Sequence, residues 1–364
     1  MQAFPESLEA YRPLAERLDA LPNGFPPAPD GAELRLLAYL FTPEEARLAA
    51  ALRLTLETPE QLAARLGLPA AELKDQLRQM SRKGLIIAGR AEGGLGFGLM
   101  PFVVGIYEAQ AGRIDAELAR LFEDYFQGAF HQLLAVQPQV HRVVPVNENV
   151  RLGMEVRPFE SASQIVHNAQ AWGVLDCICR TQKALIGQAC SHPVDVCMVL
   201  APRPGVFDTH PVIHPLTEQQ ALATLQRAAD AGLVHTVSNS QEGIWYICNC
   251  CTCSCGLLRG MAELGLSNVV AQSAFVNQVD GDLCQGCLDC LEGCQFNALQ
   301  MGNLVMTVVS ARCVGCGVCV PLCPEGALAL VRRPLEEILP VPQRESDWRE
   351  ARAETRHLDL SKVI

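Results

Sequence analysis

The sequence predicts an α+β chain of several domains, and three observations carry that expectation. Residues 34–104 order helices ahead of a glycine-turned hairpin. A cysteine-rich middle mixes short strands with helices. Near the C-terminus a run of four cysteines recurs 29 residues later, the mark of an internal duplication.

The first third is read from its start and stop signals. Pro43–Leu56 reads as a helix. Thr58-Pro59-Glu60-Gln61 opens the next, with threonine as N-cap and proline at the first helical position, and it stops near Gly67. Ala70–Lys83 follows, with Leu73, Leu77 and Met80 on one face. Gly84 closes it, Leu85-Ile86-Ile87 begins a strand, and Glu92-Gly93-Gly94 turns it back. Helix, turn, helix and hairpin is the order of a winged helix. Its second helix offers Lys74, Arg78, Arg82 and Lys83 against Glu72 and Asp75, which is only mildly basic. With a net charge of −11 over 364 residues, the chain disfavours a nucleic-acid partner, because phosphates attract positive surface.

Further on, Ile114–Ala135 reads as a helix and Pro138–Pro158 as an extended, valine-rich connector. Thr217–Val237 reads as a second helix-then-strand unit, a weak echo of the first through Leu225 and Gly232-Leu233-Val234. Residues 1–30 lack the apolar stretch of a signal peptide, and no window offers the roughly 18 apolar residues of a membrane span. The expected compartment is the cytoplasm.

Seventeen cysteines, none before Cys177, set the chemistry. Tight clustering of thiols in a cytosolic chain points to metal ligands rather than disulfides. Cys284-x2-Cys287-x2-Cys290-x3-Cys294 recurs as Cys313-x2-Cys316-x2-Cys319-x3-Cys323-Pro324. Three cysteines at a three-residue period wrap a loop around one face of a cubane. Gly286, Gly315 and Gly317 supply the backbone freedom such a loop needs. These runs resemble the bacterial two-cluster ferredoxins. The resemblance implies two [4Fe–4S] clusters with crossed ligands, one on Cys284, Cys287, Cys290 and Cys323, the other on Cys313, Cys316, Cys319 and Cys294. Gln295 stands where that pattern usually has proline.

Nine cysteines remain. Val174–Cys179 reads as a strand that points Cys177 and Cys179 to one side, with Cys190 and Cys197 able to complete a third site. Four thiolates suit another [4Fe–4S] cluster or a zinc ion. Cys248, Cys250, Cys251, Cys253 and Cys255 then form a fourth site, or share ligands with the third. Arg180 offsets cluster charge or pairs with a carboxylate. His192 reads first as a loop histidine before Pro193 and second as a ligand.

Taken together, Cys177–Arg180, His192–Met198, Cys248–Arg259 and the two repeated runs make most of the chain resemble large 4Fe–4S dicluster ferredoxin-like proteins of anaerobic prokaryotes. The expected domains are an N-terminal extension over 1–33, a winged-helix-like domain over 34–110, a helix and linker over 111–160, a cysteine-rich metal-binding domain over 161–262, a ferredoxin-type domain of pseudo-twofold ββα repeats over 263–331 and a charged tail over 332–364. The resemblance implies an electron-transfer protein or subunit that relays low-potential electrons through two to four clusters to a partner oxidoreductase or ferredoxin-type protein. Two alternatives stand beside it. One is a redox enzyme using a special cluster or thiols at Cys248–Cys255, and the other is a redox-sensing winged-helix regulator. A homodimer fits each. No nucleotide, flavin or nucleophile motif is present, so the chain reads as a component of an oxidoreductase system rather than an enzyme on its own.

Overall fold

The computed structural model describes residues 6–145, 150, 151, 153–266 and 268–364, so part of the connector expected over 138–158 lies outside the described residues. The chain divides into two units, Met1–Val136 with Arg349–Ile364, and Gln137–Trp348.

The first unit is mainly helical. It contains α1 Glu6–Glu9, α2 Arg12–Asp19, α3 Ala32–Leu40, α4 Pro43–Ala51, α5 Pro59–Leu66, α6 Ala70–Arg82, the hairpin β1 Ile87–Ala91 with β2 Gly94–Gly98, and α7 Ala116–Gly128. Thr42 and Thr58 each accept a hydrogen bond from the backbone N–H three residues on. The side-chain oxygens of Glu45 and Gln61 accept in turn from the threonine N–H, so both helix starts are closed by reciprocal caps. Gly67, at φ 68°, stops α5 where a side chain would be strained. The buried face of α6 is Leu73, Leu77 and Met80. An aromatic core packs behind these elements, with the rings of Tyr107 and Phe122 stacked at 3.9 Å and Phe25 against Tyr125 at 4.6 Å.

The C-terminal segment is built into this unit through Arg352, which is 0% exposed. Its guanidinium donates to the carbonyls of Pro22, Leu133 and Val136. Burial holds its pKa down to about 9.

The second unit holds every cysteine. Its main sheet contains β3 His141–Val143, β4 Ala171–Leu175, β5 Cys197–Ala201, β6 His214–Leu216, β7 Val234–Ser238 and β8 Tyr246–Cys250, in the antiparallel order β3-β7-β8-β5-β4-β6. Two helices, α8 Ala162–His167 and α10 Glu218–Asp230, pack on one face. There Ile165, Val166, Ala221 and Leu225 meet Met198, Leu200, Val237 and Ile247. Strand residues alternate in facing, so Cys197, Thr236, Cys248 and Cys250 point to the opposite face. The expected strand Val174–Cys179 stops at Leu175. Cys177 instead takes the N-cap position of the helix α9 Ile178–Leu185, which places Cys179 in its first turn. After β8 a turn and the short helix α11 Arg259–Leu264 follow.

The C-terminal part of this unit is two strand pairs, β9 Phe275–Val279 with β12 Leu328–Arg332, and β10 Leu299–Gly302 with β11 Val305–Val308. One short helix, α12 Asp289–Glu292, lies between β9 and β10. Among the described residues, no helix is long and apolar enough to cross a membrane.

Replacing Arg352 with alanine should strand three carbonyls in a dry site and cost the first unit about 2–4 kcal/mol. Urea unfolding followed by circular dichroism measures this. A loss below about 0.5 kcal/mol would show that the guanidinium is dispensable.

Candidate metal centres

A shift of 29 residues carries β9 onto β11 and β10 onto β12. The strands do not pair within their own repeat. The first strand of one pairs with the last of the other. This exchange interleaves the repeats and sorts their cysteines into two sets. The charge neighbours of Cys290 are Cys323, Cys287 and Cys284, and those of Cys319 are Cys316, Cys294 and Cys313, with Cys290 beyond them. The loops approach closely only because glycine allows it. A Cβ on Gly315 would sit 2.1 Å from the Phe275 carbonyl oxygen, and one on the equivalent Gly286 would sit 2.7 Å from that of Leu304.

Both sets fit a cluster by their donor chemistry. Each offers four thiols with apolar neighbours, Leu299, Met306 and Leu328 among them. Backbone N–H groups already aim at sulfur, from Ala298 to Cys294 and from Ala327 to Cys323 at 3.3 Å each, and from Met306 to Cys284 at 3.4 Å. Asn277 adds a side-chain donor at 3.1 Å from Cys319 Sγ. Burial pushes Cys316 up to about 12 and raises Cys319 further, so these thiols need a metal to ionise near neutral pH.

The nine other cysteines are shared out differently from the expectation based on spacing. Six of them form a ring of neighbours in which each thiol shifts the pKa of the next, in the order Cys177, Cys179, Cys255, Cys250, Cys248, Cys197 and back to Cys177. The register explains much of it. Met198 opposes Ile247, so the next step brings Cys197 beside Cys248, while the helix cap supplies Cys177 and Cys179. Thiol hydrogens from Cys179 and Cys197 hold Cys177 well below the ordinary thiol value. Those of Cys248 and Cys255 lower Cys250 to about 6. These two acidic thiols are three steps apart on the ring, the widest separation it allows for negative charge.

Cys190, expected beside Cys177 and Cys179, lies instead with Cys251, Cys253 and His192. The loop before β5 carries the first and last of these, and the turn after β8 carries the others. In an extended chain Cys251, Cys253 and Cys255 would share one face. The turn, closed by Cys255 N–H to the Cys251 carbonyl at 3.1 Å, sends Cys255 to the ring and leaves the other two outside.

Arg180 lies between the two groups and is 3% exposed. It donates to the Asn249 carbonyl at 2.9 Å and reaches Cys251 Sγ at 3.8 Å, while its Nε and Nη2 have no hydrogen-bond partner among the described residues. Burial alone would lower its pKa. The charges of Cys177, Cys197 and Cys251 reverse this and raise it. Behind the ring, Thr236 Oγ1 lies 3.6 Å from Cys250 Sγ and 3.2 Å from His141 Nδ1. On the helix side His235 Nδ1 meets Asn249 Oδ1 at 2.5 Å. Burial lowers both histidines to about 4.

One residue joins the repeated runs to the turn. Gln295 accepts from the backbone N–H of Thr252 at 2.8 Å and donates to the Gly232 carbonyl. The sequence showed it only as a missing proline. The spacing of His192 from Cys190 repeats that of Cys253 from Cys251, and that match was the available signal for its role.

The family model of the 4Fe-4S dicluster domain matches residues 283–328. This stretch therefore carries a 4Fe–4S dicluster domain, and the chain is ferredoxin-like and metal-binding there. No curated protein and no solved structure matches the chain.

Two outcomes test this description. Replacing Asn277 with leucine removes a donor to Cys319 and should lower the potential of the cluster on that set by about 40 mV, the one-electron equivalent of a hydrogen bond of about 1 kcal/mol. Potentiometric EPR titration measures it. The second outcome concerns pH. His141 and His235 stay neutral in the fold until about pH 4, whereas the unfolded chain protonates them near 6.5. Their contribution is intact above about pH 6.5 and is lost as the pH falls toward 4, by up to about 3 kcal/mol each. Urea midpoints should fall over that window, and less so in H141Q and H235Q.

Proposed function

We propose that this chain is an iron–sulfur electron-transfer protein that relays low-potential electrons between a ferredoxin-type donor and a partner oxidoreductase. On this reading Cys284, Cys287, Cys290 and Cys323 hold one [4Fe–4S] cluster, and Cys294, Cys313, Cys316 and Cys319 hold the second. The six-thiol ring holds a third iron–sulfur centre. Bound clusters supply one-electron carriers whose potentials the surrounding hydrogen bonds and burial set.

The observation that carries the reading is Gln295. It follows Cys294 directly and binds the backbone of Thr252, which lies between Cys251 and Cys253. The inner cysteine set of the dicluster domain is thereby fastened to the cysteine-rich turn within one folding unit. Such fixed spacing is what electron passage between centres requires and what a mobile linker would spoil. The outer end is open. Cys287 is exposed, and Leu304, whose backbone lies against Gly286, is 85% exposed. A partner can approach the Cys287 set, while Cys313 and Cys319 are buried.

Anaerobic purification followed by iron and acid-labile sulfide analysis tests the reading. About twelve irons per chain are expected, with sulfide to match, and EPR of the dithionite-reduced protein should show interacting [4Fe–4S] signals at low potential. About eight irons would remove the third centre, and clusters that dithionite cannot reduce would remove the electron-transfer reading itself.

A further inference from the structure

The tight set Cys190, His192, Cys251 and Cys253 differs in kind from the other thiol groups. Its four ligand atoms all lie within 4.8 Å of one another, and Cys253 Sγ is 3.7 Å from His192 Nδ1. Around a single zinc ion with Zn–S of about 2.3 Å, tetrahedral geometry sets sulfurs about 3.8 Å apart. A cubane places irons between its ligands and holds them wider. Among the described residues, neither the dicluster cysteines nor the ring cysteines gather three ligand atoms this closely.

We infer that Cys190, His192, Cys251 and Cys253 form a mononuclear zinc site, separate from the iron–sulfur centres. Three thiolates and one imidazole are a complete tetrahedral shell, with no open position for substrate. The ligands come as two pairs at the same i, i+2 spacing, one from the loop before β5 and one from the turn after β8. The ion therefore clamps those segments together. Each leads directly into the ring, the first to Cys197 and the second to Cys255. Thr252, between two of the ligands, also anchors Gln295. Cys253 is exposed, which gives the ion an entry path. Arg180 reaches Cys251 from the buried side and offsets the net negative charge that three thiolates leave on a divalent ion.

The test uses the full chain, purified anaerobically and washed with chelator. Zinc, iron and acid-labile sulfide are measured together, and zinc K-edge EXAFS is recorded on the wild type. The expected result is one zinc per chain, with a shell of three sulfurs and one nitrogen. C190S should lose the zinc and keep its iron and sulfide. H192C should keep the zinc and change its shell to four sulfurs, a readout that survives if C190S fails to fold. No zinc in the wild type would overturn the inference, as would an unchanged three-sulfur shell in H192C. Loss of iron and sulfide from a folded C190S would also overturn it and assign these residues to a cluster. Reduction of the clusters by dithionite stays the test of the electron-transfer reading, so the two can fail separately.

Discussion

Ionised thiols packed against one another repel, and the second unit can gather seventeen cysteines only by answering that charge at each group. Its means are few. Backbone N–H groups point at Cys284, Cys294 and Cys323, and Asn277 points at Cys319. In the ring, thiols share hydrogens so that charge settles on opposite members, Cys177 and Cys250. Sheet alternation does the rest. It turns Cys197, Cys248 and Cys250 away from the face where α8 and α10 bury the apolar core. Core packing and sulfur chemistry therefore use the same strands without competing for the same space.

The duplication solves a second problem, which is how to keep two centres at a fixed distance. If each repeat paired its own strands, the halves would be joined only by chain. Pairing β9 with β12 and β10 with β11 makes each half incomplete alone. The same exchange carries Cys294 and Cys323 across to the opposite sets. Gln295 extends this economy. Proline at that position has no side-chain amide, whereas glutamine reaches both Thr252 and Gly232.

How much of this was legible follows from the range of each interaction. Thr58-Pro59 and Gly67 are local signals, and the helix they bound spans Pro59–Leu66. The 29-residue repeat is local twice over, so its two runs could be read directly. The partition of the other nine cysteines depends on strand register and on one turn, and neither is encoded in cysteine spacing. Cys177 and Cys179 share a site through a helix cap rather than the strand their i, i+2 spacing suggested. Cys190 lies only seven residues before Cys197, yet the loop between them sends each to a different group. Arg352 carried no sequence signal at all, because its partners are carbonyls distant in the chain.

Arg180 bears on whether the middle cysteines are metal ligands or idle thiols. A guanidinium keeps its charge at any physiological pH, so it cannot escape burial by releasing a proton. At 3% exposure, with two nitrogens lacking hydrogen-bond partners, it would cost several kcal/mol among neutral thiols. Disulfides would serve it no better, since they carry no charge. Negative charge on Cys177, Cys197 and Cys251, the groups that surround it, is what raises its pKa against burial. Cys197 left to itself would hold its proton, because its own pKa is raised. A bound metal removes that proton and fixes the charge. Cys177, whose pKa is already low, answers part of the Arg180 charge by itself, and a metal on the proposed centres would add the fixed charge of Cys197 and Cys251.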